Sequence, residues 1–165
     1  MAGHYRVIAP TAQVGQPEVK LGLIPGMGGT QRLPRLAGMA KAIEMCAFGA
    51  PVKAPEALAT GIVDKIVDGD LRTEAIAFAQ EIAAQPIRRT RDRDEKLGPF
   101  DPTITAAAID QPKKKMRGQT APLAAIQAVE AASMLPSPQR LRPGGQPVSE
   151  ALTPSPPTPQ TPPSF

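Results

Sequence analysis

An α/β fold of short strands among several helices, followed by a proline-rich tail, is what three observations predict. Two short β-branched runs, around Val7-Ile8 and across residues 62–67, read as strands. Between and after them, apolar residues recur at helical spacing over residues 39–48, 71–84 and 121–134. Glycine or proline punctuates nearly every junction, as expected for short elements.

Taken in order, residues 5–9 form the first strand, and Pro10 turns the chain. Residues 13–15 are extended, and Pro17 keeps Gln16 extended before it, so Glu18 falls at a strand end. Gly28 and Gly29 lead into a helix starting near Thr30, with Pro34 making it short or bent and Gly38 ending it. Residues 39–48 form the next helix, closed by Gly49. Residues 54–60 form another, with Pro55 in its first turn and Gly61 behind it. After the strand at 62–67, the turn Asp68-Gly69-Asp70 starts an amphipathic helix over 71–84, with Ile76, Ala79 and Ala83 beside Leu71, Ala75 and Ile82 as its apolar stripe. The charge run 88–96 reads as a solvated connector, residues 103–117 as a helix that Pro112 interrupts, and residues 121–134 as a clearer helix.

Composition bounds the rest. A chain of 165 residues with 41% hydrophobic but only 3% aromatic residues and no Trp must build its core from aliphatic side chains. The net charge is +4, part of it in the cluster Lys113, Lys114, Lys115 and Arg117, read as a solvated helix face. So few aromatics argue against base stacking, so no nucleic-acid partner is expected. Cys46 is the single cysteine; no intrachain disulfide can form, which fits a reducing, cytoplasmic setting, and its apolar neighbours make it a buried packing residue. No apolar run is long enough for a membrane span. One third of the last 30 residues are proline, so disorder with polyproline character is expected over 136–165. That abrupt change suggests out-of-frame translation, with a ligand for proline-recognising domains as the other reading.

Residues 17–35 carry the chemistry: Glu18, then Leu21, Gly22, Leu23, Ile24, Pro25 and Gly26, then Gly28-Gly29 and a helix start. A carboxylate, a glycine-rich loop and a helix N-terminus in that order present an acid beside a closely held ligand, with helix N–H groups open to an anion. The loop lacks the Gly-Lys-Ser/Thr ending of a phosphate-binding loop. His4, the only histidine, has no nucleophile at motif spacing and reads as structural. No cysteine–histidine cluster suggests a metal.

This stretch resembles the crotonase superfamily of enoyl-CoA hydratases and isomerases, in the form found in the hydratase part of multifunctional β-oxidation enzymes. The resemblance is close over residues 3–85, looser over 86–135, and stops before the tail. It implies a partial crotonase-like fold with a core at 1–85, a helical extension at 86–135 and a disordered tail at 136–165. By resemblance Glu18 is one of two catalytic acids, the one that delivers the C2 proton. Gly26 offers the backbone N–H that holds the catalytic water, and Leu21, Gly22, Leu23, Ile24 and Pro25 border the substrate. The substrate implied is an acyl-CoA thioester, with no separate cofactor and no metal; the partners implied are further copies in a homo-oligomer or a parent multifunctional complex. The family's other acid and its oxyanion-hole amides precede the segment matched by residues 3–7. The chain is therefore expected to be N-terminally truncated, weakly active or inactive alone, and marginally stable. Val7, Ile8, Val14, Ile62 and Val63 are expected to present apolar surface that further strands would cover.

Overall fold

The computed structural model describes residues 1–98, 101–115 and 118–134; the expectations for the tail lie outside them. Strands β1 (Val7–Ile8), β2 (Gln13–Val14), β3 (Val52–Lys53) and β4 (Lys65–Ile66) alternate with helices α1 (Gly29–Ala37), α2 (Met39–Phe48), α3 (Ala54–Thr60), α4 (Leu71–Glu81), α5 (Pro102–Lys115) and α6 (Ala121–Met134). Strand β1 pairs parallel with β4, Val7 opposite Lys65 and Ile8 opposite Ile66. Strand β2 pairs antiparallel with β3, Gln13 opposite Lys53 and Val14 opposite Val52. Two-stranded sheets of this size are not stable on their own, so the helices carry the fold.

Helix α2 lies at the centre, packed on α6 and α1. Its buried face (Ala42, Ile43, Met45, Cys46 and Ala47) meets Ala125, Ile126 and Val129 of α6 within one aliphatic core. Small side chains on both helices allow the backbones to approach closely, which lets a core with so few aromatics pack. Cys46 is fully buried, as its neighbours predicted.

Several elements depart from the sequence expectation. The strands shrink to two residues each, because only those residues find a partner strand. Residues Pro17–Leu21 form a 3₁₀ helix rather than a strand end, since Pro17 occupies the first helical position, where its missing N–H costs nothing. Strand β3 was not foreseen; a two-residue pairing leaves no periodicity to read. Helix α1 tolerates Pro34 within only nine residues, short as expected. Helix α5 continues through Pro112, whose fixed φ is itself helical and which sacrifices one hydrogen bond. The basic cluster at 113–117 lies outside the described side chains.

Helix α4 starts as predicted: the Asp70 carboxylate accepts from Thr73 N at 2.8 Å and from Thr73 Oγ1 at 2.6 Å. It ends at Glu81, and its apolar stripe is not buried. Leu71 and Ile76 are 45% and 51% exposed. Its contact with the body is polar-edged instead: Phe78 meets the Tyr5 ring edge-on at 6.1 Å, with Lys65 Nζ 5.2 Å from the Phe78 ring. Among the described residues no helix is long and apolar enough to cross a membrane.

The register of the parallel pair is locked by a reciprocal contact. Arg6 N donates to the Asp64 carboxylate at 2.8 Å, Asp64 N donates to Arg6 O at 2.8 Å, and the two side chains pair at 3.2 Å. Beside this pair opens a cavity of about 380 Å³, lined by Val7, Ile8, Val14, Ile62 and Val63 together with Leu33 and Met45. The five residues expected to present apolar surface thus share one concavity, although Ile8, Ile62 and Val63 are themselves buried.

The connector at 88–96 is more than a solvated run. Thr90 is buried, and Arg35, also buried, reaches Asp94 at 3.3 Å. Lys96 Nζ donates to Leu36 O at 2.9 Å and to Thr60 O at 2.7 Å, so one ammonium caps the last turns of both α1 and α3. Gly61 has φ 81° there, and a Cβ on it would lie 2.8 Å from Lys96 Nζ. Lys96→Met is expected to destabilise the chain by roughly 1 kcal/mol in urea unfolding, with faster tryptic cleavage after Arg88 to Arg93 as the connector loosens. Unchanged cleavage would show that the double cap does not hold this segment.

Candidate functional site

Glu18 is the second residue of the 3₁₀ helix, held by its neighbours rather than by its own contacts. Val19 beside it is 1% exposed and packs into the body, while Lys20 and Leu21 face outward. Gly22 ends the helix with φ 77°, and Leu23 N returns to Glu18 O at 3.1 Å. The Glu18 side chain is half-buried, and its Oε2 is a buried oxygen with no hydrogen-bond partner. Leaving a buried carboxylate oxygen unsatisfied is unfavourable, so Glu18 holds one unmet acceptor in this structure.

The loop behind it is built from turn geometry. Gly29 N donates to Gly26 O at 2.9 Å, with Met27 at φ 49° and Gly28 at φ 70° between them. Two successive positive φ values define a tight turn of the type that suits glycine at both central positions. A methionine there costs about 1–2 kcal/mol. The Arg32 guanidinium donates to Met27 O and holds the turn from below. Gly29 packs against the Gln16 side chain: a Cβ on it would lie 2.7 Å from Gln16 Oε1, and the amide would have to shift. The turn is therefore seated on Gln16, two residues before Glu18.

The site residues expected from sequence divide into two groups. Glu18, Leu21, Leu23 and Gly26 face outward or half-outward on one continuous segment, Leu21 at 80% and Leu23 at 60% exposure. Ile24 and Pro25 turn inward, Ile24 onto the core, so they support the loop from beneath. A Cβ on Gly26 or Gly22 would meet nothing within 4 Å, so both border open space. The helix start offers less to an anion than expected, because Gly29 N and Gln31 N are taken by Gly26 O and Gly28 O. His4 is exposed in a bend ahead of β1, outside this segment.

Three contributors were missed in the sequence. Gln16 has no motif that marks it. Met27 was readable in principle, since a non-glycine inside Gly-x-Gly-Gly must adopt turn geometry. Cys46 was read as packing alone, yet it sits close enough to Glu18 for the carboxylate to act on it. Burial, reinforced by the Glu18 charge, pushes the Cys46 thiol up to about 12.

A half-buried carboxylate with an unsatisfied oxygen thus stands on a short helix that runs into a glycine turn at the start of α1. The chain belongs to the enoyl-CoA hydratase/isomerase family, whose model matches residues 1–121. It is 42% identical over 135 residues to the peroxisomal bifunctional enzyme of Homo sapiens, covering 81% of this chain and 19% of that protein. Against the glyoxysomal fatty acid beta-oxidation multifunctional protein MFP-a of Brassica napus it is 42% identical over 135 residues, covering 79% of this chain and 19% of that one. A solved enoyl-CoA hydratase from Bacillus anthracis is 31% identical with a TM-score of 0.45, covering 78% of this chain and 43% of its own. The chain thus spans about a fifth (19%) of the length of the curated relatives it matches.

The raised Cys46 thiol makes a prediction with a definite sign. The folded state holds the proton more tightly than the unfolded state, so this contribution is fully present below about pH 9 and is lost as pH rises toward about 12. Urea midpoints should fall between pH 8 and pH 10.5 in the native chain and fall less in Cys46→Ala. Equal declines would refute a buried, neutral thiol. Native Cys46 should also resist a thiol reagent at pH 8 until the chain is unfolded.

Proposed function

We propose that this chain forms part of an enoyl-CoA hydratase site and that Glu18 is the acid exchanging the C2 proton. The observation that carries the reading is the buried, unpartnered Glu18 Oε2 on the segment that leads into the open Gly26 turn. In hydration of a 2-trans-enoyl thioester, water oxygen bonds to C3, a proton is delivered to C2, and the product is the 3-hydroxyacyl thioester. Negative charge gathers on the thioester oxygen along the way. The chemistry therefore requires a second carboxylate to activate water and two N–H donors for that oxygen. In the proposed site Glu18 supplies the C2 proton, Gly26 N holds the water, and Leu21 and Leu23 border the acyl chain from the exposed side. Glu18 and its loop belong to the isomerase reading as well, since moving a double bond also exchanges a proton at C2.

No cofactor beyond the thioester substrate is proposed, and assembly into a homo-oligomer or within a larger multifunctional chain stands on the same footing. The names of the curated relatives suggest a peroxisomal or glyoxysomal setting, which we set beside the cytoplasmic one drawn from the single cysteine.

Crotonyl-CoA hydration, followed by loss of the enoyl thioester absorbance, tests the assignment. The native chain alone should be weakly active at most; whatever rate it shows should fall to background in Glu18→Gln while butyryl-CoA binding is retained. A rate that survives the substitution removes Glu18 from the mechanism, and a native chain that neither turns over crotonyl-CoA nor binds butyryl-CoA removes the reading altogether.

A further inference from the structure

We infer that the cavity beside the Arg6–Asp64 pair is a binding site for an unbranched aliphatic carboxylate, separate from the Glu18 site. Its volume of about 380 Å³ lies within the range of small-molecule pockets. Four parts of the chain build its floor: Ile8 on β1, Leu33 on α1, Met45 on α2 and Val63 ahead of β4, all buried. The cavity is therefore a hollow between packed elements, unlike the exposed stripe of α4. Walls of this kind suit a hydrocarbon. Glu18 is not among the lining residues.

The polar groups decide the head of the ligand. Among the described residues Arg6 is the one charged side chain on the wall, and no carboxylate lines it. Behind the wall Asp64 is shared, by Arg6 at 3.2 Å and by Arg88 Nη1 at 3.3 Å. Two guanidinium groups on one carboxylate leave a net positive charge at this end of the cavity. That charge disfavours an amine and favours an anion. Arg6 spends N–H groups on the protein, Nε on Ile62 O and Nη1 on Gly3 O at 2.8 Å, so it acts on the ligand through its charge. The hydrogen-bond donor is Gln16, which also lines the cavity and whose amide makes no hydrogen bond among the described residues. A hydrocarbon floor, one free amide and a nearby positive charge together select a fatty carboxylate over an alcohol or an amine.

Titration calorimetry of the full chain with sodium octanoate tests the site. Octanoate is expected to bind about tenfold more tightly than hexanoate, because two further methylenes enter the apolar floor. Octanol and octylamine, with the same chain, are expected to bind about tenfold more weakly than octanoate. Gln16→Leu keeps the volume but loses the donor, and should weaken octanoate about tenfold while leaving octanol unchanged. Val14→Phe fills the cavity from β2 and should abolish octanoate binding; its melting curve separates filling from unfolding, and Gln16→Leu decides the matter where it does not fold. Octanol or octylamine binding as tightly as octanoate, or octanoate binding unweakened in Gln16→Leu or in a folded Val14→Phe, overturns the assignment. So does a native chain that binds no octanoate, or one that dimerises through this face in sedimentation and excludes it. None of these outcomes bears on the Glu18 reading, which crotonyl-CoA and butyryl-CoA test.

Discussion

The close packing of α2 against α6 is the contact on which everything else depends. Both sheets are two-stranded, and neither can hold the chain together. The aliphatic seam of Ala42, Cys46 and Ala47 against Ala125, Ile126 and Val129 supplies the buried surface that the aromatics would supply elsewhere. Such a seam works only when the helices approach closely, and alanine permits that. It also leaves little redundancy, because each small side chain contributes modest area and stability rests on fit.

The acid-bearing segment inherits its position from this seam. Val19 and Lys20 lie against the end of α2, where a Cβ on Gly49 would come within 3.2 Å of Val19 Cγ1. Cys46 lies on the same helix, behind Glu18. Glu18 is thereby held against the central helix while its own carboxylate keeps an unsatisfied oxygen. The glycine turn adds the second constraint, with Gln16 and Arg32 bracing it on either side.

Much of this was legible. The helices at 39–48 and 54–60 and the start of the helix at residue 71 follow from periodicity and caps, and the structure reproduces them. The turn at Gly26 to Gly29 leading into a helix follows from one contiguous run. The 3₁₀ form of Pro17–Leu21 was not legible, because Pro17 suits an extended chain and a helix start equally. Neither was the exposure of the α4 stripe. Periodicity reports that a helix has an apolar face, and only the surrounding elements decide whether that face is covered.

The sequence by itself determined the family, the order of helices, the buried cysteine and the segment that carries the acid, because each is written in local spacing or in one uninterrupted motif. Tertiary structure alone decided that Lys96 ties two helix ends together, that Gln16 seats the turn, that Cys46 stands behind Glu18 and that Met27 points outward. These contacts join residues that local pattern does not connect, and their existence depends on where α2 and its neighbours come to rest.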